Sequence, residues 1–247
     1  MPMTDFRSRL YARYVSTFKA SSALAGHSLA SQWKWCDYKI LPLLADLPRA
    51  AAILELGCGP GYFLDYLRSR GFSNLRGVDI SAEQIAIALG KGLPAEEADV
   101  FATLNDCGQA FDAIIAIDLL EHFSKAEGLQ LADGVLQSLK PGGRIVLQTP
   151  NGSALLAGPI IYGDLTHLTI YNQSSLGQLL AIAGFGRIAF AETGPVAKNI
   201  RGVLRVGIWR LATIVAAVIR LAECGGWQRI WTQNILCTAF RPDSQEP

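Results

Sequence analysis

The sequence predicts an α/β fold built on a mainly parallel sheet, and three observations carry that prediction. Helix-like and strand-like segments alternate from about residue 45 to the end, the pattern of strands joined by crossover helices. Half of the 247 residues are hydrophobic, enough for one sizeable core. In "ILELGCGPGYFL" (53 to 64) an apolar run, a glycine-rich turn and the start of a helix follow one another, and open α/β sheets keep their ligands at such turns.

The elements follow in order. "AAILELG" is short and apolar enough for a fully buried strand, and "YFLDYLRSRGF" is a helix closed by Gly71. "NLRGVDI" is the second strand. In "SAEQIAIALGKG", Ser81 and Gln84 stand at capping-box spacing, so Asp79 ends a strand just before a helix. "EEADVF" reads as a short strand or strand end, and "FDAIIAIDLL" as a buried strand ending near Asp118. "LADGVLQSLKPGG" is a helix stopped by Pro141 and Gly142, feeding the strand "RIVLQTP". The stretch 151 to 172 has weak periodicity and is long for a plain connection. "QSSLGQLLAIAGF", "RIAFAET" and "QNILCTAF" complete the series as helix, strand and strand. One domain is expected over 1–247: an N-terminal helical cap (1–45), a core (46–196), an amphipathic helical insertion (197–232) and a last strand (233–241).

Composition excludes some functions. Lys plus Arg (22) nearly cancels Asp plus Glu (21), so no basic field exists to collect nucleic acid. Five scattered cysteines without a C-x-x-C pair suggest a reducing compartment without disulfides or structural zinc. The N-terminus lacks the apolar core of a secretory signal and reads as mature protein. Arg205, Arg210 and Arg220 interrupt the apolar stretch 203 to 222, so no transmembrane segment is expected.

Glycines 57, 59 and 61 lie where a ligand can approach backbone amides without meeting a Cβ. A dinucleotide pyrophosphate would ask for glycine at position 62, where Tyr62 stands. With "ELGCGPG", "GVDIS", "FDAIIAIDLLEHF" and "LKPGGRIVLQTPN" in this order, the chain resembles the class I S-adenosylmethionine-dependent methyltransferases over roughly residues 45 to 190. The resemblance implies a Rossmann-like methyltransferase fold whose seven-stranded sheet ends in an antiparallel pair. It implies S-adenosyl-L-methionine as cofactor, held by Glu55, Gly57, Cys58, Gly59, Gly61, Asp79, Ile80, Asp99, Val100 and Asp118. Glu55 would lie near the ammonium, Asp79 would accept from both ribose hydroxyls, Asp99 and Val100 would flank adenine, and Asp118 would stand beside the sulfonium. Helix capping is the alternative for Asp79 and Asp99. Cys58 is explained by space rather than nucleophilic chemistry. Apart from the resemblance, Tyr11, Tyr14, Tyr162 and Tyr171 are candidates to close over cofactor or acceptor, with core packing as the alternative.

Methyl transfer to a hydroxyl needs positioning and removal of a proton, and histidine is the natural base at neutral pH. Of the three histidines, His27 lies outside any motif. His167, on the long stretch after the fifth strand, is the first candidate, with Asp164 either orienting its ring or capping a turn; His122, paired with Glu121, is the second. For both, a structural hydrogen bond is the alternative. Convergent carboxylates are not evident, so no metal is expected.

The segment between "RIAFAET" and "QNILCTAF" exceeds the short connection of the family's minimal fold. On a helical wheel Arg201, Arg205, Arg210 and Arg220 fall in one half, and Val203, Leu204, Ile208, Leu211, Ile214, Val215, Val218 and Leu221 in the other. That composition suits a membrane surface or lipid substrate, while the plainer reading is burial on the protein's own sheet or in a homodimer. "LYARYVST", "TPNG" and "YGDLTH" with this insertion are similar to methyltransferases of bacterial polysaccharide and glycolipid biosynthesis. A cytoplasmic enzyme is expected, peripheral at the inner membrane face if the insertion binds lipid, acting on a hydroxyl of a sugar or lipid-linked glycan. Ubiquinone-pathway O-methylation of a small lipid-like acceptor is the alternative, followed by a non-catalytic cofactor-binding scaffold and a nicotinamide oxidoreductase.

Overall fold

A computed structural model describes residues 29–243 of the chain. The described residues divide into two units, before and after the Pro42–Leu43 boundary. The first is described only from its helix α1 (Leu29–Lys39) onward.

The second unit holds β1 (Ala52–Leu56), α2 (Tyr62–Ser69), β2 (Asn74–Asp79), α3 (Ala82–Gly90), β3 (Ala95–Glu97), α4 (Val100–Cys107) and β4 (Phe111–Ile117). After these come α5 (Lys125–Ser138), β5 (Leu139–Pro150), the short α6 (Gly158–Ile161), α7 (Gln173–Ile182), β6 (Gly186–Glu192), α8 (Ile200–Cys224) and β7 (Asn234–Phe240). The seven strands form one sheet in the order β3-β2-β1-β4-β5-β7-β6. Neighbours from β3 to β5 are parallel, and β7 runs antiparallel to both β5 and β6. The direction of winding reverses between β1 and β4, which opens a crevice at their carboxyl ends. Both the glycine loop and Asp118 lie there.

Local chemistry sets the start of α3 where the sequence reading expects it. The Ser81 hydroxyl accepts from Gln84 N–H at 3.4 Å, and Ser124 with Glu127 closes a full capping box on α5. The box at Ser81 is only half formed, because its own N–H donates to Asp79 Oδ1 at 2.8 Å. Two boundaries differ from expectation. α5 stops at Ser138, and Leu139 to Gly143 already belong to β5. The residue before a proline is driven out of the helical region, so Pro141 ends the helix before reaching it. "DVF" is no strand, because Asp99 caps α4 through Phe101 and Ala102 N–H, each at 3.0 Å.

The core is aliphatic, with Leu54, Leu56, Val78, Ile114, Ala116, Leu147 and Ile235 on the strands packed against Leu104, Leu131, Val135, Leu176 and Leu180 of α4, α5 and α7. At the far end of β5, buried Arg144 grips Asp46 through two bonds of 2.7 and 2.5 Å. That bidentate pairing holds Asp46 below the usual carboxylate range.

α8 is one uninterrupted helix of 25 residues, and the reading that buries its aliphatic face on the sheet needs correction. The aliphatic face is not buried on the protein's own sheet: its eight residues run from 48% exposed at Leu221 to 65% at Leu211. The packed face is built instead from Gly202, Trp209, Ala216 and Ala217, the last two clustering with Trp231. By length and apolarity the helix could cross a membrane, because the arginines interrupt the apolar run without ending the helix. Its middle is nevertheless tied to the sheet, with Trp209 Nε1 donating to Glu192 Oε2 at 3.4 Å. Crossing a bilayer would strip these contacts away.

Candidate active site

The glycine loop answers the question its spacing raises in a way the sequence does not show. Gly57, Gly59 and Gly61 all have positive φ (69°, 51° and 73°), a region costly for any other residue. A Cβ at Gly61 would stand 2.5 Å from Leu93 Cδ1, and one at Gly57 3.0 Å from Leu119 Cδ1. The chain's own packing therefore requires the glycines, whatever lies on the open side of the loop.

The loop amides are not free donors either. Cys58 N–H donates to Val78 O, Gly61 N–H to Cys58 O, each at 3.0 Å, and Gly59 N–H to Asp79 Oδ2 at 2.9 Å. Pro60 has no N–H. An anionic pyrophosphate would find little to grip, whereas a ligand that needs only close backbone approach is accommodated. This disfavours the dinucleotide alternative on geometry as well as on Tyr62.

The polar groups around the crevice suit an adenosyl amino acid. Glu55 is buried, and its Oε2 has no hydrogen-bond partner. Burial, with the charge of Asp79 in second place, pushes its carboxyl well above the usual range, while a bond from Leu64 N–H acts against this. A bound ammonium would satisfy that orphan oxygen. Asp79, fixed by Gly59 and Ser81 N–H, keeps acceptor capacity on both oxygens for two hydroxyls. Ile80 beside it is an exposed apolar surface. The Cys58 thiol is buried and its pKa is pushed up by burial and by Glu55 and Asp79, so it is inert as a nucleophile.

The remaining expected residues are placed as follows. Asp99 is exposed and caps α4, and the Val100 side chain is part of the core. Tyr171 is also a core residue, and Tyr162 is exposed. Tyr11, Tyr14 and His27 lie outside the described residues. Asp118 ends β4 with φ 51° and is held by Gln148, whose Nε2 donates to Asp118 Oδ1 at 3.0 Å. A strained residue at a strand end facing the crevice is a usual feature of a functional site.

Beside Asp118 the two histidine candidates meet. Glu121 and His122 lie in a turn after β4 (Leu120–His122), and His167 comes from the loop after β5, yet the imidazole centroids are 5.3 Å apart. The loop is fastened there by Leu168 and Thr169 N–H, which both donate to Glu121 O at 2.8 and 3.1 Å. Asp164 caps a turn: its Oδ1 accepts from Thr166 N at 2.9 Å and Thr166 Oγ1 at 2.6 Å. Glu121 is only 1% exposed. Its carboxyl is pushed well above the usual range by burial first and by Asp118 next. Sequence reasoning noticed Glu121 only as the neighbour of His122; its place inside an apolar "DLLEHF" run was the available signal of burial.

Comparison with known proteins agrees with this geometry. A family model described as "Methyltransferase domain" matches residues 29–188. The mitochondrial ubiquinone biosynthesis O-methyltransferase of Rattus norvegicus is 33% identical over 112 residues, covering 42% of this chain and 32% of the rat protein. The ubiquinone biosynthesis O-methyltransferase of Chromobacterium violaceum is 26% identical over 184 residues, covering 62% of this chain and 78% of that protein. This chain thus spans about a third of the rat relative's length. Among solved structures, a SAM-dependent methyltransferase from Archaeoglobus fulgidus superposes with a TM-score of 0.66 at 19% identity, covering 93% of this chain and 99% of that one. That likeness concerns the fold.

Proposed function

The chain belongs to the methyltransferase domain family, and we propose that it methylates a hydroxyl of a small lipid-like acceptor reached at a membrane surface. When bound, S-adenosylmethionine supplies a methyl carbon on sulfur that is already an activated leaving group, so the protein's work is positioning and proton removal. Glu55 and Asp79 would hold its two polar ends, and the glycine loop would admit its backbone-close middle. The acceptor hydroxyl would meet the Glu121, His122 and His167 cluster beside Asp118. His167, whose buried Nδ1 has no hydrogen-bond partner, would take its proton.

The observation that carries the acceptor class is the exposed aliphatic face of α8 and its tie to the acceptor loop. Directly after α8, Gln228 Nε2 donates to Ser153 O at 2.6 Å, and Leu155 N–H donates to Trp231 O at 3.0 Å. Ser153 and Leu155 open the loop that carries His167. A helix lying in the headgroup region would therefore place that loop beside the membrane. The exposed Arg201, Arg205, Arg210 and Arg220 suit anionic headgroups. The names of the rat and Chromobacterium relatives point to the same acceptor class rather than to a glycan.

The test is methyl transfer from labelled S-adenosylmethionine to a panel containing prenylated dihydroxybenzenes, nucleotide sugars and lipid-linked sugars. Labelling of the prenylated ring, lost in His167→Ala, is the expected result. Labelling of sugars alone would move the assignment to the glycan class. Turnover equally slow on every acceptor and unchanged in His167→Ala would make the chain a cofactor-binding scaffold.

A further inference from the structure

We infer that Gln148 selects the acceptor: its amide oxygen accepts a hydrogen bond from a second polar hydrogen of the acceptor, separate from the hydroxyl that is methylated. This deepens the functional reading above and rests on it for the acceptor.

Gln148 stands two residues before the end of β5 and is only 7% exposed. Two bonds lock it to Asp118. The Asp118 N–H donates to Gln148 O at 3.0 Å, and Gln148 Nε2 donates to Asp118 Oδ1 at 3.0 Å. A carboxylate accepts and does not donate, so this contact fixes which way round the amide sits, with its nitrogen on Asp118. The amide oxygen, Oε1, is then buried and has no hydrogen-bond partner among the described residues. An unpaired buried carbonyl oxygen is costly. Packing does not require one here, since Val146, the preceding residue on the same face of β5, is fully buried with an aliphatic side chain.

Alternation along β5 places this oxygen. Leu147 belongs to the core against α4, α5 and α7, and on that side Thr149 Oγ1 donates to Glu121 Oε2 at 3.1 Å. Gln148, between them, therefore projects from the opposite face of the sheet. Glu121, next to His122 and His167, meets the strand ends from one face and Gln148 from the other. An acceptor lying across the ends of β4 and β5 would have its reacting hydroxyl toward His167 and a second donor toward Gln148.

The chemistry of the oxygen limits what fits it. It is uncharged and can only accept, so it suits an O–H or N–H rather than an anion or a bare hydrocarbon. On the reading above the cofactor's ammonium goes to Glu55, which leaves the acceptor to supply this donor. A site that hydrogen-bonds a substrate hydroxyl rejects the analogue lacking it strongly, because the buried partner is left unpaired. Held by Asp118 before the acceptor arrives, Gln148 needs no reorientation to do so.

The experiment uses the full chain saturated with S-adenosylhomocysteine, so that no turnover intervenes. Calorimetry compares a prenylated dihydroxybenzene with its counterpart in which one hydroxyl is replaced by hydrogen. The dihydroxy compound should bind the natural chain at least about tenfold tighter. In Gln148→Met, which keeps an unbranched side chain without the amide, the two compounds should bind equally, with S-adenosylhomocysteine affinity unchanged. Gln148→Asn, which withdraws the amide by one methylene, gives a second reading and should also lower the preference. A role confined to holding Asp118 would weaken both compounds alike and leave their ratio intact. An intact ratio in both variants, or no preference in the natural chain, would overturn the inference. Loss of S-adenosylhomocysteine binding by a variant of unchanged Tm would give the oxygen to the cofactor and overturn it too. Labelled prenylated product with an intact ratio would refute the Gln148 contact alone. Labelling of sugars alone would refute the functional reading, and the same comparison with the labelled sugar and its deoxy counterpart would then decide Gln148 separately.

Discussion

The half of the sheet formed by β3, β2, β1 and β4 holds its ligand loop with bonds inside the chain, whereas the half formed by β5, β7 and β6 sends out long connections. In the first half every loop amide with a hydrogen on Cys58, Gly59 and Gly61 is engaged, and the glycines are fixed by Leu119 and Leu93. In the second, the stretch after β5 brings His167 to His122, and α8 leaves its aliphatic side exposed. The difference separates two tasks. On the function proposed above, a cofactor of constant shape would be met by a rigid turn, and the acceptor by connections that can vary without disturbing the sheet.

The comparison breaks most readily at Gly61. Gly61→Ala combines a positive φ with a contact of 2.5 Å, and should lower stability by about 3 kcal/mol. Gly90→Ala, with nothing within 4 Å of the new Cβ, should leave stability equal or raise it by up to about 1 kcal/mol. Urea denaturation of the two variants checks both values. Equal losses would mean that the loop is not held as described.

A smaller effect tests the far end of β5. The folded-state pKa of Asp46 is depressed by Arg144. Its contribution is therefore present above the ordinary unfolded value near 3.8 and lost as pH falls through the lower folded value. Asp46 is largely exposed, so the effect is modest. The Tm of the natural chain should fall more steeply than that of Asp46→Asn below about pH 4. Parallel curves would remove the pair from the account.

The smallest effect on stability is expected on α8. Leu204→Ser with Ile208→Ser should change unfolding free energy by no more than about 0.5 kcal/mol each, because both side chains are already exposed. Sedimentation with vesicles containing anionic lipid should nevertheless drop in this variant, and again in Arg205→Glu with Arg210→Glu. A loss of fold, or a concentration-dependent dimer that the same substitutions dissolve, would assign the face to protein contact.

The legibility of the sequence follows the same division. The turn at 57 to 61, Asp79 and the cap at Ser81 were readable because their partners lie close along the chain or in a fixed motif order. The meeting of Glu121 with His167 was not, since it depends on Leu168 and Thr169 N–H reaching the Glu121 carbonyl, and spacing along the chain carries no trace of that. The wheel for 198 to 222 found two faces but did not show which residues pack on the sheet. It weighed apolarity, while the sheet selects small residues at Gly202, Ala216 and Ala217 around Trp209. The strand status of Lys140 to Gly143 was hidden for a comparable reason: proline and glycine read as a stop, yet here they form the irregular start of β5, where its pairing with β4 shifts register.

Calorimetric titration of S-adenosylhomocysteine into the natural chain and into Asp79→Asn tests the central claim most directly. The account predicts one site per chain, with affinity falling at least about tenfold in the variant, as a charged hydrogen-bond acceptor is lost. No heat with the natural chain, or the same affinity in both, would contradict it.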